Sequence, residues 1–285
     1  MSERTRREWL ATVGAIGVVG CSSASNGTEP EDDEPTIDTT SPDGWPVAGH
    51  DVANTRHSAA DGPKNDVEPR WTFDDVSLEF DDPALAVAEG TVYVGTEDGQ
   101  VRELDSETGD GSTLVGLNDG EHRSDDVPIR AVTAAGDRLY FVSDGVYAVD
   151  ATTGEVLWTF EETALESGSG IETPAVVVDG TVYAGGYGLY AIDAASGEER
   201  WRVDLDSEYE RTVTVGRTSP IATDETVYAA EDDRNAVFAV SVADEAVRWS
   251  TEPTDGVGTH GGLALADGLV YAIRADGILV ALEEG

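Results

Sequence analysis

The sequence has very few cysteines, lysines and basic residues of any kind. One cysteine in 285 residues, Cys21, excludes a disulfide framework within the chain. Lys64 is the single lysine, and 17 basic residues face 58 carboxylates, which gives a formal net charge of −41. Such a charge repels nucleic acid and anionic lipid surfaces. We therefore expect no nucleic-acid partner.

The acidic composition favours an organism that lives in concentrated salt. In 1 M salt the Debye length falls to about 3 Å, so the repulsion between surface carboxylates is screened. The alternative is an acidic secreted protein from a GC-rich genome. We prefer the first interpretation and expect a halophilic archaeon as the source.

Residues 1–20 resemble a twin-arginine lipoprotein signal peptide. Arg6 and Arg7 precede an apolar run, Leu10 to Gly20, which is too short to span a bilayer. The run ends directly before Cys21 in a sequence that resembles a lipobox, whose cysteine becomes the mature N-terminus and carries a lipid. The alternative role of a lone cysteine is that of a small buried hydrophobe. Because of its position we expect Cys21 to anchor the chain to the extracellular face of the cell membrane.

Two segments separate this signal from the predicted domain in residues 67–285. Residues 21–44 are predicted to form a disordered acidic tether, because they hold too little apolar area to order themselves. Residues 45–66 form a lead-in segment that includes His50 and His57. A metal site there would need three or four converging ligands, and we prefer a lid over one end of the domain. We predict no metal.

The rest of the chain is built from a repeated unit. The stretch Ala148 to Trp158 recurs as Ala191 to Trp201 and, in altered form, as Ala239 to Trp249. Each copy indicates a strand end, a tight turn and a new strand. Asp150 can accept hydrogen bonds from the backbone across the turn, and Gly154 can adopt a positive φ without steric cost.

A second strand of each unit contains a tyrosine. These tyrosines follow one another at intervals of 43 to 47 residues: Tyr93, Tyr140, Tyr183, Tyr228 and Tyr271. Short apolar runs before and after them bring each unit to four short antiparallel strands, which is the size of one propeller blade. The sequence therefore predicts an all-β fold, a β-propeller of four-stranded antiparallel blades, with five blades.

The units resemble the pyrroloquinoline-quinone-type (PQQ-like) propeller repeat, whose signature is roughly A-x-D-x-x-T-G-x-x-x-W. The second unit matches it at Ala148, Asp150, Thr153, Gly154 and Trp158. The other units depart from it: the third has Ser196 for Thr, the first has Thr113 for Trp, and the fourth has Ser241 for Asp and Glu245 for Gly. The architecture implied is similar to that of the propeller lipoprotein of the bacterial outer-membrane-protein assembly machine.

The two ends of the repeat region are complementary. The last unit lacks its Trp strand, whereas Trp71 belongs to a Trp strand with no unit in front of it. We predict that the strand around Trp71 completes the C-terminal blade and closes the ring, because propellers protect their sheet edges. The alternatives are a truncated gene with an open edge and a sheet completed by a partner. We expect the domain to be monomeric.

The resemblance also raises the question of an enzyme. Quinone-dependent dehydrogenases of the wider superfamily are longer chains that hold calcium and the quinone between acidic or amide ligands. This chain has one cysteine and no spare length, and its tryptophans lie at repeat positions that already explain them as structural. It also contains no phosphate loop, zinc pattern or EF-hand spacing. We therefore expect neither PQQ nor calcium as a cofactor.

A propeller binds ligands at the funnel where the loops entering its innermost strands converge. By register, those loops carry Asp81, Asp82, Arg130, Glu172, Thr173, Arg217 and His260. These side chains can recognise a polar or anionic group. The alternative, which we prefer, is a water-filled channel whose charged lining forms ion pairs with itself.

Two functional hypotheses remain. The first is a non-catalytic cell-surface lipoprotein whose propeller binds a protein or a polymer. The second is an extracellular enzyme, either a sugar or alcohol oxidoreductase or a glycoside-active protein, with its site in the channel.

Overall fold

The computed structural model describes residues 67–74, 84–117, 128–161, 170–171, 173–186, 188–204, 218–230, 236–251, 261–273 and 278–284. Over these ranges the chain forms 19 β-strands, and none of it is a helix that could span a membrane. The predicted signal with Arg6 and Arg7, the lipid site Cys21, the tether and the lead-in segment lie outside the described residues.

The strands form five separate antiparallel sheets, which we call blades 1 to 5. Blade 1 contains β1 (Leu85–Ala88), β2 (Thr91–Gly95), β3 (Gln100–Asp105) and β4 (Gly111–Gly116). Blade 2 contains β5 (Ala131–Ala135), β6 (Arg138–Val142), β7 (Val146–Asp150) and β8 (Val156–Phe160). Blade 3 contains β9 (Val176–Val178), β10 (Thr181–Gly185), β11 (Leu189–Asp193) and β12 (Glu199–Val203). Blade 4 contains β13 (Ile221–Ala222), β14 (Thr226–Ala230), β15 (Val237–Ser241) and β16 (Ala246–Ser250). Blade 5 contains β17 (Gly261–Ala266), β18 (Leu269–Ile273) and β19 (Leu279–Leu282).

The predicted succession of short antiparallel sheets is confirmed, including the three strands of the last unit. Strands follow in chain order within each blade, and the first strands of neighbouring blades approach one another. The first strand of each blade is therefore its innermost strand.

Each interior blade is apolar on both faces because it packs between two neighbours. We call the side toward the following blade the forward face and the opposite side the back face. In β6, Leu139 and Phe141 pack against blade 1, whereas Tyr140 and Val142 pack against blade 3. This double burial explains why the central strands are nearly continuous apolar runs rather than alternating ones.

The predicted Asp turn joins the third and fourth strands of a blade. The Asp150 Oδ1 atom accepts hydrogen bonds from the Thr152 and Thr153 amides at 2.9 and 2.7 Å. Asp193 caps the next turn in the same way, through the amides of Ala195 and Ser196. Gly154 closes its turn with φ 70°. The turn residues of the repeat are therefore structural.

The tryptophan of one blade docks on this turn in the following blade. The Trp158 indole N–H donates to the Ala194 carbonyl at 3.0 Å, and the Tyr140 hydroxyl donates to the same oxygen at 3.2 Å. The ring lies flat against Gly197, whose Cα has no room for a methyl group. A large apolar anchor thus joins blade 2 to the turn of blade 3.

Trp71 makes the same contact with blade 1. Its indole N–H donates to the Ser106 carbonyl at 3.0 Å, and its ring lies against Gly109. Residues 67–74 contain no strand, however, and the described sheet of blade 5 has three strands. Trp71 therefore docks on blade 1, whereas the predicted completion of blade 5 by its strand stays a prediction.

Candidate functional site

Of the residues assigned to the funnel, the structure describes Arg130 and Thr173. Arg130 is exposed, and its guanidinium donates to the Ser143 carbonyl of its own blade at 3.0 Å. Thr173 is fully buried and its hydroxyl accepts a hydrogen bond from the Gly185 amide at 2.7 Å, which makes it structural. The remaining funnel residues, Asp81, Asp82, Glu172, Arg217 and His260, lie outside the described residues, so their convergence stays a prediction.

The described innermost strands do not fit a quinone with calcium. They consist of glycine and small or branched apolar residues, with Thr133 as the one hydroxyl among them. Thr133 is buried and its hydroxyl donates to the Ala175 carbonyl at 2.7 Å, which joins blade 2 to blade 3. Calcium prefers carboxylate and carbonyl oxygens of side chains and free backbone. The described part of the chain also has no cluster of three metal-ligating side chains.

A groove lies between the outer strands of blades 3 and 4. Its volume is about 450 Å³, and its lining is a mixture of apolar and charged side chains: Arg202, Val203, Asp204, Phe238, Glu245, Ala246, Val247 and Ser250. Phe238 and Val203 form its floor because they belong to the core between these two blades. The groove is a concave apolar surface with a charged rim.

Charged groups hold one wall of the groove in place. The Arg202 guanidinium donates to the Asp204 carboxylate at 2.7 Å and lies 5.1 Å from the centre of the Tyr190 ring. The Arg202 side chain therefore has fixed partners within blade 3.

The opposite wall contains a strained residue. Glu245 has φ 54°, in the left-handed region where the equivalent Gly109, Gly154 and Gly197 have φ 70° to 75°. Ser241 replaces the aspartate of this turn, and its hydroxyl accepts a hydrogen bond from the Asp244 amide at 3.1 Å. Strain in a non-glycine residue motivates a functional hypothesis for that position.

The strand β16 beside this groove is exposed along its whole length. Val247 is 40% exposed and Trp249 is 39% exposed, whereas the equivalent Trp158 and Trp201 are each 8% exposed. Val247 lines the groove, and Trp249 packs on the other side of the strand near Tyr228, with ring centroids 6.0 Å apart. Exposed aliphatic and aromatic side chains on an edge strand are typical of binding surfaces.

Sequence reasoning missed this groove. The sequence feature that could have indicated it is the fourth unit, in which Ser241 replaces the aspartate and Glu245 replaces the glycine of the repeat turn. A departure from a repeat marks the place where the local structural demand differs. We interpreted the departure as decay of the repeat rather than as a sign of a site.

Comparison with known proteins identifies the family. A family model described as outer membrane protein assembly factor BamB matches residues 142–285, which is half of the chain. The chain belongs to this family. The match begins at the end of β6 and covers β7, β8 and blades 3 to 5. No protein of curated function matches the sequence significantly.

Solved structures share the propeller fold with this BamB-family chain. BamB from Moraxella catarrhalis is 18% identical with a TM-score of 0.54, over 68% of this chain and 55% of its own. Quinohemoprotein alcohol dehydrogenase from Comamonas testosteroni is 20% identical with a TM-score of 0.68, over 84% of this chain and 47% of its own. A europium-containing methanol dehydrogenase is 18% identical with a TM-score of 0.62, over 86% of this chain and 59% of its own. The chain thus spans about half the length of these proteins, and the predicted β-propeller fold is confirmed.

Proposed function

We propose that the chain is a non-catalytic, lipid-anchored propeller that binds a protein at the extracellular face of the cell membrane. The observation that carries this proposal is the groove between blades 3 and 4, with the exposed strand β16 beside it. An apolar floor of Val203 and Phe238 with a rim of arginine and carboxylates has the anatomy of a protein-binding surface. Membership of the BamB family supports a binding role.

The nature of the surface favours a protein over a polysaccharide as partner. Val247 offers an aliphatic contact, and the edge of β16, beside which no further described strand pairs, can pair with an extended peptide. The proposal takes over the binding role of the BamB family and leaves its outer-membrane substrate aside, because a halophilic archaeon, the source that we expect from the composition, would have no such membrane.

A site-specific photo-cross-linker tests the binding surface in the cell. Placed at Val247, it should give one adduct of discrete mass. The control position is Leu157, which is 42% exposed against 40% for Val247 and lies on the outer strand of blade 2. Equal labelling at both positions, or none at Val247, contradicts the proposed surface.

The lipid anchor is tested separately at the N-terminus. Replacement Cys21→Ser should move the protein from the detergent phase to the aqueous phase after phase separation, because it removes the sulfur that would carry the lipid. Replacement of Arg6 and Arg7 by lysine should leave the chain in the cytoplasm. An unchanged detergent-phase fraction for Cys21→Ser contradicts lipidation.

A second candidate function is oxidation of a sugar or an alcohol. It is favoured by the TM-score of 0.68 with the quinohemoprotein dehydrogenase, which exceeds the 0.54 obtained with BamB. The purified full-length chain with PQQ and Ca²⁺ should show no quinone binding by absorbance and no dye reduction with ethanol or glucose. Quinone binding with dye reduction would replace the binding function by this one.

A further inference from the structure

The forward face of blade 5 is apolar and open. Leu279 is 64% exposed, whereas Leu189, the equivalent residue of blade 3, is completely buried against blade 4. The equivalence follows from the strand register, since Leu279 pairs with Ile273 as Leu189 pairs with Gly185. Ile273 is also exposed, at 46%. Blade 5 therefore presents the kind of face that interior blades bury.

The back face of blade 1 is the matching surface. Leu85 is 43% exposed, whereas Ala175 at the equivalent place in blade 3 is 1% exposed. Val92 and Val94 are half-buried, although the equivalent Val182 and Ala184 of blade 3 are fully buried. In blades 2 to 5 this face receives the forward face of the preceding blade.

The outer end of the blade 1 back face already holds one strand-like segment. Trp71 contacts Ser106 and Gly109 as Trp158 contacts Ala194 and Gly197. Phe73 lies 5.7 Å from the Arg102 guanidinium, and the corresponding Phe160 lies 5.7 Å from the Tyr190 ring.

Trp71 and Phe73 therefore occupy the place of a preceding blade's outer strand. The three inner strands of that blade are the part that is missing beside them. Blade 5 has three strands in the described part of the chain.

The blade 1 side carries both signs of charge, with Glu68 and Asp74 beside Arg70, whereas the described end of blade 5 is acidic. Arg70 and Arg102 lie on the blade 1 side, in a chain with 17 basic and 58 acidic residues. Glu283 and Glu284 follow β19 on the blade 5 side and are exposed. Opposite charges at the edge of an interface favour the correct register.

We propose that blade 5 of one molecule docks on blade 1 of a second copy, with its β19 edge along the Trp71–Phe73 segment. The two copies then complete two four-stranded blades, one at each junction. Within the described residues no strand of blade 5 pairs with blade 1 of the same chain. This chain covers 47% of the quinohemoprotein dehydrogenase and 55% of the Moraxella BamB, so it superposes on part of a longer fold. This proposal replaces our expectation of a monomeric domain.

The first test is the mass of the full-length chain carrying Cys21→Ser, measured by light scattering after size-exclusion chromatography. At about 2 M KCl and about 100 µM protein the mass should be twice the 30.0 kDa of one chain. At about 0.1 M KCl the dimer should dissociate, because two chains of net charge −41 repel each other when the Debye length is about 10 Å. A mass of one chain at both salt concentrations overturns the proposal.

The second test locates the interface by cross-linking. In blade 2 the Tyr140 hydroxyl reaches the Ala194 carbonyl, and the equivalent positions at the proposed junction are Tyr271 and Ser106. Cys21→Ser removes the one native cysteine, so Tyr271→Cys and Ser106→Cys can be placed on separate chains. A bismaleimide of about 10 Å should join the mixed chains into a covalent dimer. A mixture of Ser106→Cys with Leu157→Cys should give none.

The third test separates a second copy from closure within one chain. A chain with both Tyr271→Cys and Ser106→Cys should cross-link between molecules. Cross-linking confined to single molecules means that blade 5 closes on its own blade 1, and this outcome overturns the proposal. Leu279→Asp should raise the dissociation constant of the dimer at least about tenfold, because it places a charge in an apolar contact.

Leu157→Asp, at an exposed site of blade 2, is the control and should leave the dimer intact. Leu279 is exposed in the single chain, so its replacement should not impair folding. A dimer that survives Leu279→Asp also overturns the proposal.

Discussion

Gly197 is the position where one added methyl group tests how neighbouring blades dock. A Cβ atom there would lie 2.6 Å from Cδ2 and 2.7 Å from Cγ of Trp158, which is closer than carbon atoms approach. Gly197 also has φ 75°. The replacement Gly197→Ala therefore adds two penalties, one of backbone conformation and one of packing.

The two penalties have separate magnitudes. An alanine in the left-handed region costs about 1–2 kcal/mol. Overpacking a buried contact costs about 1–3 kcal/mol. We expect Gly197→Ala to lower the free energy of unfolding by about 2–5 kcal/mol, since the Trp158 ring is held by its hydrogen bond to Ala194 and has no room to move away.

Gly268 provides the matched control. It has φ 77°, and an added Cβ would meet nothing within 4 Å. Gly268→Ala should therefore show the backbone penalty alone, about 1–2 kcal/mol. The difference between the two variants measures the contact with the Trp158 ring.

Urea unfolding at constant high salt, followed by circular dichroism, measures both variants, because urea leaves the ionic strength unchanged. The double variant Gly197→Ala with Trp158→Leu should be more stable than the sum of the two single effects predicts, by about 1–3 kcal/mol. Equal destabilisation by Gly197→Ala and Gly268→Ala would refute the docking of the ring on the turn.

Four further predictions concern charge, strain and pH. Burial on its own would raise the pKa of Asp193, but hydrogen bonds from Arg200 and Ser196 outweigh it and lower the pKa to about 2. This carboxylate therefore stabilises the fold at pH values above its unfolded pKa of about 3.9, and the stabilisation is lost as the pH falls through about 2. The variant Asp193→Asn should be less stable than the natural protein by about 1 kcal/mol at pH 7. In urea titrations near pH 2.5 the difference between the two should be smaller. Raising KCl from about 0.1 M to about 1 M should raise the urea midpoint, because the net charge of −41 is screened, and a flat midpoint would contradict this reasoning. Glu245→Gly should raise the free energy of unfolding by about 1 kcal/mol in the same assay by relieving the left-handed backbone, while a loss of stability would mean that its carboxylate has a structural role. Arg130→Gln should leave the melting temperature nearly unchanged, because the side chain is exposed and donates to one backbone acceptor. If the funnel binds anions, titration calorimetry with candidate anions should show weaker binding to this variant.

The blades could be predicted because their positions are determined by local chemistry. Asp150 and Gly154 form a turn that depends on residues two to four positions apart. Trp158 marks the strand that follows at a fixed distance. The spacing of such residues therefore predicted five sheets and the three strands of the last one.

Burial of the end blades was not predictable from the same signals. Leu279 and Leu189 are both leucines at the same place in a repeat, yet one is 64% exposed and the other is buried. Their exposure depends on whether another sheet covers the face, and no local pattern encodes that. The groove was not predictable for the same reason, because its walls come from β12 and β16, which lie more than 40 residues apart in the chain.

The funnel residues illustrate a different limit. Register alone put Arg130 and Thr173 at one end of the blades, and the structure shows that both side chains bond to backbone groups of their own blades. The position of a residue in a loop predicts where its backbone lies. It says little about which groups its polar side-chain atoms bond to.

The segment around Trp71 joins these observations. Trp71-Thr72-Phe73 and Trp158-Thr159-Phe160 contain the same three residues and touch equivalent positions of the blade that follows. The segment contacts Ser106 and Gly109 although no strand of the described chain pairs with it. The Trp71–Phe73 segment therefore occupies the place of an outer strand beside blade 1, and its position indicates where three further strands would add. Because β17, β18 and β19 are three strands with an open edge, the chemistry of the repeat specifies their docking place, and the cross-linking experiment decides which molecule provides it.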